Sequence, residues 1–220
     1  MRKIFFLTLL LLAPLGLAVS AENLYEQLNA DLESGPWQAR LVGSIASPTG
    51  GSQPADITIK ALPEAKIIRI DFAKPDALAD NYVVITSEKV YNYLFLTNEV
   101  VVYPREKARI EGLGFDLSRM GDLQDLGERG EVVWQEPKAA TYENRPAWRV
   151  VGDAADPDLA GFARVEVWLA REPVRLLRTA FYSPDGEPLS DLRWLDFAHV
   201  DLKKSDLLDF PPDAEWIEKK

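Results

Sequence analysis

The chain has 220 residues, with 25 Lys and Arg against 35 Asp and Glu and a net charge of −10. An acidic balance of this size disfavours nucleic acid and anionic membrane surfaces as partners. It contains no cysteine, which excludes disulfides, thiolate metal sites, a cysteine nucleophile and a lipid anchor built on cysteine.

The first element is a targeting segment. Arg2-Lys3, the apolar run from Ile4 to Val19 and the small residues Ser20-Ala21 predict a secretory signal peptide over 1–21, cleaved after Ala21. Pro14 and Gly16 break the run, which falls short of the ~20 residues of a spanning helix. Without Arg2 and Lys3 the balance is 23 basic against 35 acidic residues, or −12. Residues 22–220 then fit one exported, periplasmic domain.

Asn23 to Leu32 reads as a short amphipathic helix, with Leu24, Leu28 and Leu32 four apart, Tyr25 beside them, and Gly35-Pro36 as its stop. From there the pattern has period two. Strands are predicted at 37–46, 54–61, 66–73, 81–87, 89–96, 99–103, 131–137, 139–143, 146–152, 162–170, 174–183 and 188–200. Short connectors such as Thr97-Asn98 and Ser183-Pro184-Asp185-Gly186 make this an antiparallel meander. Between 105 and 129 the period changes: Leu113, Leu117 and Met120 recur at helical spacing, with Phe115 nearby, among Gly112, Gly114, Gly121 and Gly127. That helix is either a plug on the sheet or a weakly anchored, movable lid.

Several strands carry one apolar face too many. In KVYNYLFLTNEVVVYPR (89–105), Tyr91, Tyr93 and Phe95 share one face, while Val90, Leu94 and Leu96 lie on the other. Ile68, Ile70 and Phe72 share a face, as do Val165, Val167 and Leu169. The two clear helices are few for so much apolar surface. The pattern predicts an α+β fold: a curved antiparallel β-sheet, an incomplete and unclosed β-barrel, with helices covering its concave face around an apolar cavity. Ile68, Ile70, Phe72, Tyr91, Tyr93 and Phe95 are assigned to the cavity, and Leu113, Phe115, Leu117 and Met120 to the lid. Phe95→Glu or Ile68→Glu is then expected to abolish binding in that cavity. The alternation within strand 89–96 does not itself say which face is inward.

Little in the chain carries chemistry. His199 is the only histidine and reads as a partly buried or surface residue. Asp153, Asp156 and Asp158 have the wrong spacing for a calcium loop, and Pro157 intrudes. Nucleophile-elbow, P-loop and dinucleotide motifs are all missing from the sequence. No catalytic residue, metal ligand or cofactor is assigned, and the chain is not expected to be an enzyme.

Four stretches, in order, resemble a known family. They are NLYEQLNADLESGPWQARLVGSIAS; ALPEAKIIRIDF; NYVVITSEKVYNYLFLTNEVVVYPR; and VEVWLAREPVRLLRTAFYSPDGEPLSDLRWLDFAHVD, followed by LDFPPDAEWIEK. Together they resemble the LolA-like periplasmic carriers of outer-membrane lipoproteins, over roughly 22–218. The resemblance implies a half-barrel with a helical lid that binds the acyl chains of a lipoprotein or related lipid. It also implies two partners, an inner-membrane release complex and an outer-membrane acceptor; the carrier is expected to be a monomer that binds no nucleic acid. The chain departs from the family at two places. Leu62-Pro63 stands where the family often has arginine before proline, the residue associated with holding the lid closed, and Ser87-Glu88 stands where it often has Asp-Gly. A sensing or regulatory domain on the same fold is the alternative, ahead of a hydrolase of envelope lipids.

Overall fold

The structure, a computed structural model, describes residues 19–47, 49–105 and 132–219. Residues 1–18 of the expected signal peptide and the expected lid residues Leu113, Phe115, Leu117 and Met120 lie outside the described residues.

Helix α1 (Ala21–Glu33) starts where the Ser20 side chain accepts a hydrogen bond from the Asn23 N–H at 3.1 Å. Its leucine stripe faces the sheet: Leu24 is buried, and Leu28 and Leu32 pack against the same core. Thirteen strands follow among the described residues: β1 Trp37–Ala46, β2 Ser52–Leu62, β3 Ile67–Lys74, β4 Tyr82–Ile85, β5 Lys89–Leu94, β6 Glu99–Pro104, β7 Val132–Trp134, β8 Lys138–Tyr142, β9 Arg145–Ala154, β10 Arg164–Arg171, β11 Val174–Tyr182, β12 Pro188–His199 and β13 Glu215–Glu218. Two short helices, α2 (Pro157–Ala160) and α3 (Lys204–Leu207), complete the elements used below.

All twelve expected strands are present, each within a few residues of its expected bounds; β13 was not expected. The sheet runs β13-β6-β5-β4-β3-β2-β1-β12-β11-β10-β9, and β7 and β8 lie end to end along the far side of β9. Two meanders thus meet at the β1–β12 pair. The sheet does not close, because β13 and the β7/β8 edge are not paired to each other. Every pairing is antiparallel except β13 with β6, which is parallel.

The sheet has two apolar layers. The inner one, under α1, draws Leu41, Ile57, Ile70, Val83, Phe181 and Leu192 from both meanders. The outer one lies on β3–β6 and the last residue of β2 and consists of Leu62, Ile67, Tyr82, Val84, Tyr93, Val100 and Val102 around Leu207. The segment after β12 covers this outer layer. Leu207 of α3 is fully buried, and Leu202, Leu208, Phe210 and Ala214 pack beside it. Phe210, from the Phe-Pro-Pro stretch, lies 5.7 Å from the Tyr82 ring, 5.6 Å from Tyr91 and 5.2 Å from Trp216. Polar contacts fix the cover. Tyr82 donates to the Asp209 carbonyl at 2.9 Å, and Arg69, stacked 3.7 Å over the Tyr82 ring, donates to the same carbonyl at 3.3 Å. Burial pushes the Tyr82 hydroxyl up to about 12. Helices therefore cover both faces of the sheet: α1 lies on the inner face as expected, and α3 lies on the outer one.

This arrangement corrects the assignment of one shared cavity face. Ile70 pairs with Val83, and Val83 with Asn92; Asp71 pairs with Tyr82, and Tyr82 with Tyr93. Ile68, Ile70 and Phe72 thus face inward, while Tyr91 and Tyr93 face outward beneath the C-terminal cover. Phe95 lies past the end of β5, 51% exposed, at the hairpin tip beside Leu96. The second apolar face of strand 89–96 is the one that the C-terminal segment seals.

Candidate functional site

The inner face of the second meander does not pack flush against α1. Between them lies a cavity of about 570 Å³, walled by Leu24, Tyr25 and Leu28 of α1, Trp134 of β7, Val150 of β9, Val167 and Leu169 of β10, and Leu176 of β11. Ala21, Glu22 and Glu26 complete the wall, and both glutamates are exposed.

Each wall residue is placed by its element. Val167 and Leu169 alternate inward on β10 against the outward Glu166 and Trp168. Val150 pairs with Val167 across the strands. Trp134 can lie over β9 because position 152 is glycine: a Cβ there would meet Trp134 Cε3 at 2.8 Å as well as the Val132 side chain. The far end of α1 is tied to the sheet by Arg175, whose Nε donates to Asp31 Oδ2 at 3.1 Å and whose guanidinium lies 4.9 Å from the Phe197 ring. His199 Nε2 sits 3.4 Å from the other Asp31 oxygen and 3.5 Å from Ser34 Oγ. The lone histidine thus belongs to the α1 anchor and not to the cavity.

The expected cavity residues and this cavity lie apart. None of Ile68, Ile70, Phe72, Tyr91, Tyr93 and Phe95 is among the walls of this cavity. Ile70 and Phe72 are packed into the inner core of the first meander. Val167 and Leu169 were visible as an apolar face, and Tyr25 as a neighbour of the leucine stripe. Trp134, Val150 and Leu176 carried no signal that set them apart from core. The three aspartates are spread over the end of β9, a bend and α2: Asp153 accepts from Gln135 at 3.0 Å, and Asp156 caps the Asp158 N–H at 3.1 Å. Among the described residues no group of three side chains could hold a metal, and no helix is long and apolar enough to cross a membrane.

The cavity's chemistry is burial of apolar matter. Its volume lies inside the ~300–1,000 Å³ range of small-molecule sites. Val150, Val167, Leu169 and Leu176 give it an aliphatic wall on the sheet side, and Glu22 and Glu26 of α1 are the charged residues of its lining.

No protein-family model and no curated protein sequence matches the chain. Solved structures do. An uncharacterized conserved protein from Thermus thermophilus is 26% identical, with a TM-score of 0.68 over 90% of this chain and 99% of its own. A DUF1329 family protein from Desulfovibrio piger shares the fold at 10% identity and a TM-score of 0.52, over 86% of this chain and 97% of its own. A LolA superfamily protein from Nitrosomonas europaea aligns over 86% of this chain and 98% of its own at 11% identity and a TM-score of 0.44. An N-terminal helix laid on an unclosed antiparallel sheet is the architecture that the four sequence stretches imply. The Thermus thermophilus and Desulfovibrio piger proteins share this fold. Within it, the cavity sits between the first helix and the second meander.

Proposed function

We propose that this protein is a periplasmic carrier that holds the acyl chain of a lipoprotein or related lipid in the cavity beneath α1 and moves it toward the outer membrane. The observation that carries this reading is the 570 Å³ cavity with its aliphatic wall. A buried methylene contributes about 0.8 kcal/mol, so some ten hidden methylenes supply roughly 8 kcal/mol. The losses of association reduce this, which suits a cargo that has to be handed on. Release requires α1 to move from the sheet, and the Arg175–Asp31 pair is the polar tie that such a movement breaks first. An inner-membrane release complex and an outer-membrane acceptor are the partners of this reading.

The test is titration with a fluorescent long-chain fatty acid, alongside native mass spectrometry of protein purified from its own periplasm. Wild type is expected to bind one chain saturably and to carry lipid or an acylated protein on purification. Leu176→Trp fills the cavity and is expected to weaken binding by about tenfold or more, equivalent to 1.4 kcal/mol. Phe95→Glu, at the exposed hairpin tip, should bind as wild type does. If Leu176→Trp binds normally, or wild type binds no acyl chain, the carrier reading fails and an interaction or sensing domain takes its place.

A further inference from the structure

The outer face of the second meander differs from that of the first: among the described residues, no element packs over it. Its side chains form a row set by strand register. Lys138 on β8 pairs with Arg149 on β9, Arg149 with Trp168 on β10, Trp168 with Arg178 on β11, and Arg178 with Arg193 on β12. Strands lie ~4.8 Å apart, so the row is about 19 Å long. Like charges directly opposite one another in a sheet are destabilising, yet Lys138 faces Arg149 and Arg178 faces Arg193.

The next row partly neutralises this one. Glu166, only 6% exposed, accepts from Arg149 at 2.6 Å, from Trp168 Nε1 at 2.6 Å and from Arg178 at 3.1 Å. Asp191 takes Arg178 in a bidentate pair at 2.6 and 2.9 Å. These bonds use up both carboxylates and hold the two central guanidiniums in place. The ends of the row are left over. Lys138 is exposed with no ion pair among the described residues, and Arg193, 49% exposed, reaches only Glu143 at 3.5 Å. Arg145 and Arg164 lie on the same face without a carboxylate partner among the described residues; Arg164 stacks 4.4 Å over the Tyr182 ring. The face carries six basic residues (Lys138, Arg145, Arg149, Arg164, Arg178, Arg193) against four acidic ones (Glu143, Asp153, Glu166, Asp191), in a chain of net charge −10.

We propose that this row is a docking surface for an acidic segment of a partner protein, laid across strands β8 to β12. Charge complementarity selects the occupant. Arginine and aromatic side chains are the residues that dominate protein interfaces, and the cations at the two ends of the row, Lys138 and Arg193, keep donors for a partner's carboxylates. A row of about 19 Å spans some six residues of extended chain at ~3.3 Å each. An anionic bilayer is the wrong shape for one narrow row and is repelled by the acidic remainder of the molecule.

The probe is a fluorescein-labelled peptide of alternating Glu and Ala, followed by anisotropy with the full chain. Wild type is expected to bind it and to lose affinity as salt rises from about 50 to about 200 mM. Lys138→Glu with Arg193→Glu is expected to weaken binding by about tenfold or more. The milder pair Lys138→Gln with Arg193→Gln should weaken it less and, at these exposed positions, leave the melting temperature unchanged. Lys89→Glu, on the first meander, should bind as wild type does. The proposal is overturned if the peptide does not bind, if the row variants bind normally, or if Lys89→Glu weakens binding equally. It is also overturned if phosphatidylglycerol vesicles, and not the peptide, depend on the row.

Discussion

The two meanders solve the same problem in opposite ways. Both need their inner faces apolar to pack against each other and α1. On the outer face, β3–β6 stay apolar and borrow a cover from the C-terminal segment, with Leu207 and Phe210 as its anchors. Strands β9–β12 have no such cover among the described residues and instead carry a hydrogen-bonded charge lattice centred on Glu166. The inner faces differ as well: Ile57, Ile70 and Val83 of the first meander are buried in the core, and the second meander lines the cavity.

Four substitutions break or sharpen this contrast. The largest effect is expected at the cover. Leu207→Ala removes a fully buried anchor and should cost about 2–5 kcal/mol in urea unfolding. A cost below that of an ordinary surface change would mean that the outer layer is not sealed. Next comes the cavity half. Gly152→Ala forces Trp134 off β9 and should cost about 1–3 kcal/mol, with acyl-chain binding falling alongside; binding that survives the stability loss would remove Trp134 from the site. The Tyr82→Phe change is smaller still. It deletes the hydroxyl that donates to Asp209 and should cost about 1 kcal/mol with binding unchanged.

The smallest effect separates the halves by pH. Burial pushes the Glu166 carboxyl up, but hydrogen bonds from Arg149 and Trp168 and the charges of Arg149 and Arg178 outweigh it, leaving it below its ordinary 4.5. The unfolded chain therefore binds a proton more readily than the folded one. The stability that Glu166 contributes is present above about pH 4.5 and is lost as pH falls through the lower folded value. Asp56, in the first meander, is lowered by its hydrogen bond from Arg40 and loses its share in the same direction. Glu166→Gln should flatten part of the acid limb of stability against pH and leave the Asp56 part; an unaltered limb would show that the lattice is not what holds the second meander.

Much of this architecture is legible in the residues, and what is not has a physical reason. Alternation located twelve strands because each has a period-two pattern closed by turn residues, such as the positive-φ pair Glu143-Asn144 between β8 and β9. Strand β13 is short, follows two prolines and pairs with β6 far back in the chain, so no local pattern announces it. Parity within a strand told which residues share a face, as with Tyr91 and Tyr93. It could not tell that Tyr93 lies opposite Tyr82 and so on the far side from Ile70, because that depends on the turn lengths between β3, β4 and β5. A cavity was expected, but its walls were placed elsewhere for a related reason: Leu176 and Val150 differ from core residues only in what faces them.

The parallel β6–β13 pair also bears on the order of folding. Glu99 is matched to Glu215 and Val102 to Glu218, so an early strand gains its second neighbour only from residues near the far end of the chain. Closing so long a loop costs entropy before any contact rewards it, and pairings at such separation form slowly. Until they form, Tyr82, Tyr91 and Tyr93 present a bare aromatic face beside the unpaired edge of β6, the kind of species that aggregates. The first meander can assemble early, but its protection comes last.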